Sequence, residues 1–104
     1  MVYEIYTTEK FDREIEKLSN EENKHIENIY RQIEINPYVG DQLQIKVFRE
    51  KRLKKKRVYY LIFDDLNAIL MVGISDKKTQ QKEIDFISRN INSFRETVIK
   101  AKNN

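Results

Sequence analysis

The sequence predicts an α+β fold in the order β-α-α-β-β-β-α: an antiparallel sheet packed against an N-terminal αα-hairpin, with a long helix at the C-terminal end. Three observations predict it. Two capping signals and two helical apolar stripes fall within residues 7–35, joined by almost no loop. Two unbroken apolar runs, Val58 to Phe63 and Ala68 to Ile74, have strand length and are separated only by the polar Asp64-Asp65-Leu66-Asn67. Ile84, Ile87, Ile91, Phe94, Val98 and Ala101 then recur at alternating spacings of three and four, a heptad seam.

Taken in order, Val2 to Tyr6 is β-branched and aromatic and reads as a first strand. Thr7 and Thr8 can cap a helix whose face is Phe11, Ile15 and Leu18, with Glu9 and Asp12 at the positive end of its dipole. Ser19-Asn20-Glu21-Glu22 is a capping box for a second helix with the stripe Ile26, Ile29, Tyr30 and Ile33. That helix stops near Asn36-Pro37, because proline disfavours helical geometry at the residue before it. The only histidine, His25, lies beside the stripe with no Asp or Cys constellation around it, a boundary position. Asn36 to Asp41 is a turn-rich linker. Leu43 to Phe48 alternates through Leu43, Ile45 and Val47 as a half-buried strand. Ser75 to Thr79 caps a final helix over 79–101, which at 1.5 Å per residue would be about 34 Å long. Such a helix overruns a small sheet. Its distal end, Phe94 to Ala101, is expected to return onto the αα-hairpin or to join a second copy as a homodimer. The sheet face opposite the hairpin is expected to stay partly free.

One hundred and four residues bound a single domain, 1–104. Without cysteine there is no disulfide, thiolate metal site or thiol nucleophile, and a reducing, cytoplasmic setting is expected. No signal-peptide pattern or membrane-spanning apolar run is present, and no metal or other cofactor is implied. Residues 1–42 hold five basic and ten acidic side chains, whereas residues 43–104 hold fifteen and seven. A net charge of +3 therefore hides a strongly basic half, which calls for an acidic partner.

The basic half centres on Arg49 to Arg57, in which seven of nine residues are cationic, with Leu53-Lys54-Lys55 as the centre of a turn. A positive cluster joined to a buried strand is a charge platform suited to polyanions. It is equally a lysine-rich hairpin tip of the kind that keeps strand edges from pairing with other chains.

Several segments together resemble the RelE/ParE superfamily of toxin–antitoxin toxins. They are the first strand with Phe11-x-x-x-Ile15-x-x-Leu18, the Asn36-Pro37 exit, Phe48-Arg49-Glu50-Lys51-Arg52-Leu53, Lys56-Arg57-Val58-Tyr59-Tyr60, and Val72-Gly73-Ile74-Ser75-Asp76-Lys77-Lys78. The resemblance covers about residues 2–87 and implies the RelE-like fold. It further implies a ribosome-dependent, metal-independent endoribonuclease that cuts messenger RNA, inhibits translation and is neutralised by an acidic, RelB-like antitoxin. Arg49 and Lys51 match the family's two basic positions before the turn, the second resembling its general base. Arg57 matches the arginine that holds the scissile phosphate, and Lys78 stands where an arginine serves the leaving group. Arg52, Lys54, Lys55, Lys56 and Lys77 become candidate RNA contacts. Tyr59 offers either a ring for base stacking or a core aromatic.

The chain also departs from the pattern. Ile84 stands where RelE members carry a stacking tyrosine, with Phe86 the nearest aromatic, and lysine replaces arginine at Lys78, losing the planar fork. Glu50, the one carboxylate in the basic run, is expected on the strand face opposite Arg49 and Lys51 as a charge-balancing residue. A ParE-like poison of DNA gyrase, or an inactive relative that only binds antitoxin or nucleic acid, are the alternatives.

Overall fold

The computed structural model describes residues 2–104. Its order is β1 (Glu4–Thr7), α1 (Glu9–Ile15), α2 (Asn20–Ile35), β2 (Asp41–Gln42), β3 (Phe48–Leu53), β4 (Lys56–Phe63), β5 (Ala68–Ser75), α3 (Gln80–Arg89) and α4 (Ile91–Lys102), with 3-10 turns at Pro37–Val39 and Asp64–Leu66. The caps act as their sequence indicates. Thr8 Oγ1 accepts from Phe11 N, and Ser19 and Glu22 exchange both bonds of a capping box.

The five strands form one sheet in the order β1-β5-β4-β3-β2. The pairing is antiparallel throughout except that β1 runs parallel to β5, so the sheet is mixed rather than wholly antiparallel. The physical reason is the edge available to β1. The chain from β2 to β5 is a meander with β2 and β5 at its two ends, and Glu4 to Thr7 fills the outer edge of β5 against Ala68 to Met71.

β4 and β5 lie at the centre and are apolar on both faces because both faces are covered. On one face Val58, Tyr60, Ile62, Ile69 and Met71 pack with Phe11, Ile26, Ile29 and Ile33 of the αα-hairpin. On the other, Phe48, Tyr59, Leu61, Leu70 and Val72 pack with Ile84, Ile87 and Val98. The second face is therefore not free, and the predicted single helix over 79–101 does not form. Asn90 (φ −120°, ψ 19°) breaks it, its side-chain amide donating to Phe86 O at 2.8 Å. The break lets the seam fold back across the sheet instead of projecting along an axis already 33 Å long. Ile84, Ile87 and Val98 are buried there, Ile91 and Phe94 are half-buried, and Ala101 is exposed. Arg95 pairs with Asp65 and Lys102 with Glu4 (2.5 Å), pinning α4 to the rim of its own sheet rather than to the αα-hairpin. None of the helices is long and apolar enough to cross a membrane, among the described residues.

The strand expected over Leu43–Phe48 is also absent. Asp41–Gln42 takes its place beside β3, and residues 43–47 form the loop between them, closed by Leu43 N to Phe48 O at 2.9 Å. Leu43 packs on the second core and Val47 on the first, while Ile45 is exposed. The alternation belongs to a loop that straddles the sheet edge.

Val98 fills the second core from α4, so Val98→Ala is expected to lower the unfolding free energy by roughly 2 kcal/mol in urea denaturation. Ala101→Ser, at the exposed end of the seam, is expected to leave it within about 0.5 kcal/mol.

Candidate functional site

The site follows from how β3 turns into β4. Leu53 pairs with Lys56, leaving only Lys54 and Lys55 as the loop, with Lys54 at φ 56°. A two-residue turn of this kind requires a positive φ at its first position, which lysine adopts at a cost of about 1 kcal/mol. Once the turn is set, directly paired residues share a face. Asp41, Glu50, Tyr59 and Gly73 make one cross-strand row, and Arg52, Arg57 and Ser75 make the next, on the face covered by α3 and α4. Arg49 pairs with Tyr60, and Lys51 with Val58, on the opposite face beneath α2.

The ten sequence-selected residues are thereby divided. Arg52, Lys54, Lys55, Arg57 and Lys77 converge on a cleft of about 340 Å³, and every side chain lining it is cationic. Lys78 follows Lys77 in the exposed turn before α3, where Asp76 Oδ1 accepts from Thr79 N and Oγ1. Lys54 pairs with Glu21 at 2.6 Å and Lys56 with Glu22 at 3.3 Å, which ties the hairpin tip to the start of α2. Lys51 is half-buried and faces α2, across the sheet from Arg57.

Arg49 is held by the backbone. Its Nε donates to Lys46 O at 2.8 Å and its Nη1 to Gly40 O at 3.0 Å and Tyr38 O at 3.3 Å, with the guanidinium 5.1 Å over the Tyr38 ring. Those bonds secure the turn after α2, which Tyr60 supports from below by donating to Pro37 O. Tyr59 is a core aromatic with no exposed surface. Its hydroxyl lies 2.7 Å from Ser75 Oγ and its ring is tilted against Phe48, so it offers no stacking surface. Phe86 is 42 % exposed but stands apart from the cleft, with Lys10 over its ring and Phe94 at its edge. The cleft has cations and no aromatic among the described residues.

One carboxylate stands beside Arg57 without lining the cleft. Glu50 Oε1 lies 3.9 Å from Arg57 Nε, both side chains about 15 % exposed, and Glu50 Oε2 is buried without a hydrogen-bond partner. Burial pushes its carboxyl above the usual carboxylate range, opposed by Arg57 and assisted by Asp41, which stands beside it in the same row. Glu50 is on the face opposite Arg49 and Lys51, as alternation requires. Sequence reasoning did not bring it together with Arg57. A three-residue turn at Leu53–Lys55 would have paired Lys51 with Arg57, and one residue of register exchanges the faces. The tight Lys54–Lys55 turn was the signal.

Such a site can bind phosphodiesters through several cations and holds one poorly solvated carboxylate as a proton acceptor next to an arginine. No protein-family model and no curated protein matches the chain. Solved structures do. A doubly substituted Escherichia coli toxin RelE in the free state superposes with a TM-score of 0.70 at 13% identity, covering 84% of this chain and 99% of that one. The archaeal RelE–RelB complex from Pyrococcus horikoshii gives 0.66 at 14%, covering 74% and 97%. The RelBE2 toxin–antitoxin complex from Mycobacterium tuberculosis gives 0.64 at 17%, covering 74% and 100%. The fold of this chain is the RelE toxin fold.

Proposed function

We propose that the chain is the toxin of a toxin–antitoxin pair and cleaves messenger RNA on the ribosome without a metal. One observation carries the reading: an all-cationic cleft in which Arg57 stands beside a half-buried carboxylate, on the RelE fold. In this reading Arg57 and Arg52 hold the non-bridging oxygens of the scissile phosphate, whose charge grows in the transition state. The 2′-hydroxyl gives its proton to Glu50 and its oxygen bonds to phosphorus. The P–O5′ bond breaks, leaving a 2′,3′-cyclic phosphate, and Lys78 supplies the proton that the departing O5′ takes up. Lys54, Lys55, Lys56 and Lys77 attract the flanking backbone. Lys51, which the family pattern suggests as base, faces away from Arg57, and Glu50 takes that role. The solved complexes pair RelE with RelB, and the basic half of this chain suits an acidic antitoxin of that kind.

The absence of an aromatic from the cleft favours a second reading, a ParE-like gyrase poison or a relative that binds without turnover. Mapping transcript ends after induction separates them: codon-phased cuts belong to the first reading alone.

Expression of Arg57→Ala is expected to leave growth unaffected, with RNA cleavage on programmed ribosomes reduced by at least about a hundredfold. The variant's urea midpoint is expected to stay near that of the parent chain. A folded Arg57→Ala protein with full toxicity contradicts the reading.

Glu50→Gln separates chemistry from stability. Because the folded-state carboxyl is raised above its unfolded value, the folded chain binds the extra proton, and stability falls as pH rises through the folded value. Glu50→Gln is therefore expected to be at least as stable as the parent at pH 7, with the difference vanishing below about pH 4. Its cleavage is expected to be lost, together with the rising acid limb of the pH–rate profile.

A further inference from the structure

A second concavity, of about 360 Å³, lies between α2 and the outer side of β3. Its α2 wall is His25, Asn28 and Gln32, spaced i, i+3, i+7 and so in one stripe. Its β3 wall is Glu50, Lys51 and Arg52, and the buried Ile29 and exposed Val39 are its apolar lining. Arg52 also lines the cationic cleft, so the two concavities meet at that residue. They meet around a bare edge, because β2 pairs only with Arg49 and Glu50 and leaves β3 uncovered from Lys51 onward. Lys51 and Arg52 have no ion-pair partner among the described residues.

We propose that this concavity is a second nucleotide subsite, reached by a single strand that leaves the cationic cleft and passes over Arg52 around the edge of β3. The inference rests on the RNA reading of the cleft. The chemistry suits a base with its phosphate. Lys51 and Arg52 attract the phosphate as the strand rounds the edge. Asn28 Oδ1 already accepts from Arg31 at 3.3 Å, which leaves its amide hydrogens to donate, and Gln32 offers both donor and acceptor. Asp41 and Glu50, also on the lining, repel phosphate, but Asp41 accepts from an exocyclic amine, which orients the base inward and favours cytosine over uracil. Val39, 45 % exposed, is the open apolar surface that backs the ring.

The test uses non-cleavable 2′-O-methyl oligonucleotides, two and six residues of cytidine and six of uridine, in fluorescence anisotropy with the full chain. The parent is expected to bind the cytidine hexamer about ten-fold tighter than the dimer and tighter than the uridine hexamer. Asn28→Ala with Gln32→Ala, both at exposed positions of α2 where alanine favours the helix, is expected to bind hexamer and dimer alike and to lose the cytidine preference. A double variant that keeps the full gain with length overturns the subsite while leaving the cleft reading standing. Failure of the parent to bind any oligonucleotide at low salt overturns both. Loss of hexaglutamate binding in the double variant, with RNA binding intact, would assign the concavity to an acidic peptide and likewise overturn the proposal.

Discussion

The register of β3 on β4 is the constraint on which the site depends. It is set by the Lys54–Lys55 turn, which holds Leu53 opposite Lys56 and therefore Arg52 opposite Arg57 and Glu50 opposite Tyr59. A one-residue slip of β3 would bring Lys51 to the side of Arg57 and send Glu50 to the face of α2. Leu53, fully buried, resists that shift, because it would exchange an apolar contact with the αα-hairpin for the cation Arg52. The burial of one leucine and the geometry of one turn thus decide which charged groups meet.

The register is supported from both sides of the sheet. Tyr60 and Tyr59, adjacent on β4, point into opposite cores, and each buried hydroxyl has a partner: Pro37 O for one and Ser75 for the other. An extra residue on β5 beside this pair, at Val72, forms a bulge that keeps Gly73 in the row with Tyr59. A side chain at Gly73 would collide with the Glu83 carboxylate, so glycine lets α3 sit close over the end of the sheet. Glu83 in turn pairs with Lys10 at 2.6 Å, joining α3 to α1 across the rim. Arg57 is therefore carried on central β4 and Glu50 on β3 beside it, whereas Lys77 and Lys78 ride on an exposed turn. Rigid strands suit groups that must hold a geometry, and mobile lysines suit attraction at a distance.

Much of this was legible from local patterns. The αα-hairpin could be read from Thr8, Ser19 and Pro37, and the β4–β5 hairpin from two apolar runs around Asp64-Asp65. What escaped were features set by competition between distant parts. The heptad seam was real, but Asn90, a weak helix former between Arg89 and Ile91, let it break and close on the free sheet face. Leu43, Ile45 and Val47 alternate, yet the edge beside β3 went to Asp41–Gln42. The direction of β1 was invisible because alternation reports a face and never a strand direction. At the site, cationic residues could be listed from the sequence, but their division by face could not be made without the turn length. Tyr59 could be read as a stacking ring or as a core aromatic, and its depth in the second core decides for the core.

Electrostatics gives the arrangement its purpose. Lys54 and Lys56 are partly neutralised by Glu21 and Glu22, whereas Arg52, Lys55, Lys77 and Lys78 have no such partner among the described residues. The uncompensated charge therefore lies over Arg57 and Glu50 rather than at the hairpin tip as a whole. The most direct measurement is a map of backbone amide shifts on titration with a short 2′-O-methyl RNA at low salt. Shifts concentrated at Arg52 to Arg57 and Asp76 to Gln80 are the predicted result. Shifts confined to the outer surface of α3 and α4, or to the groove beside Lys10 and Phe86, would contradict the account.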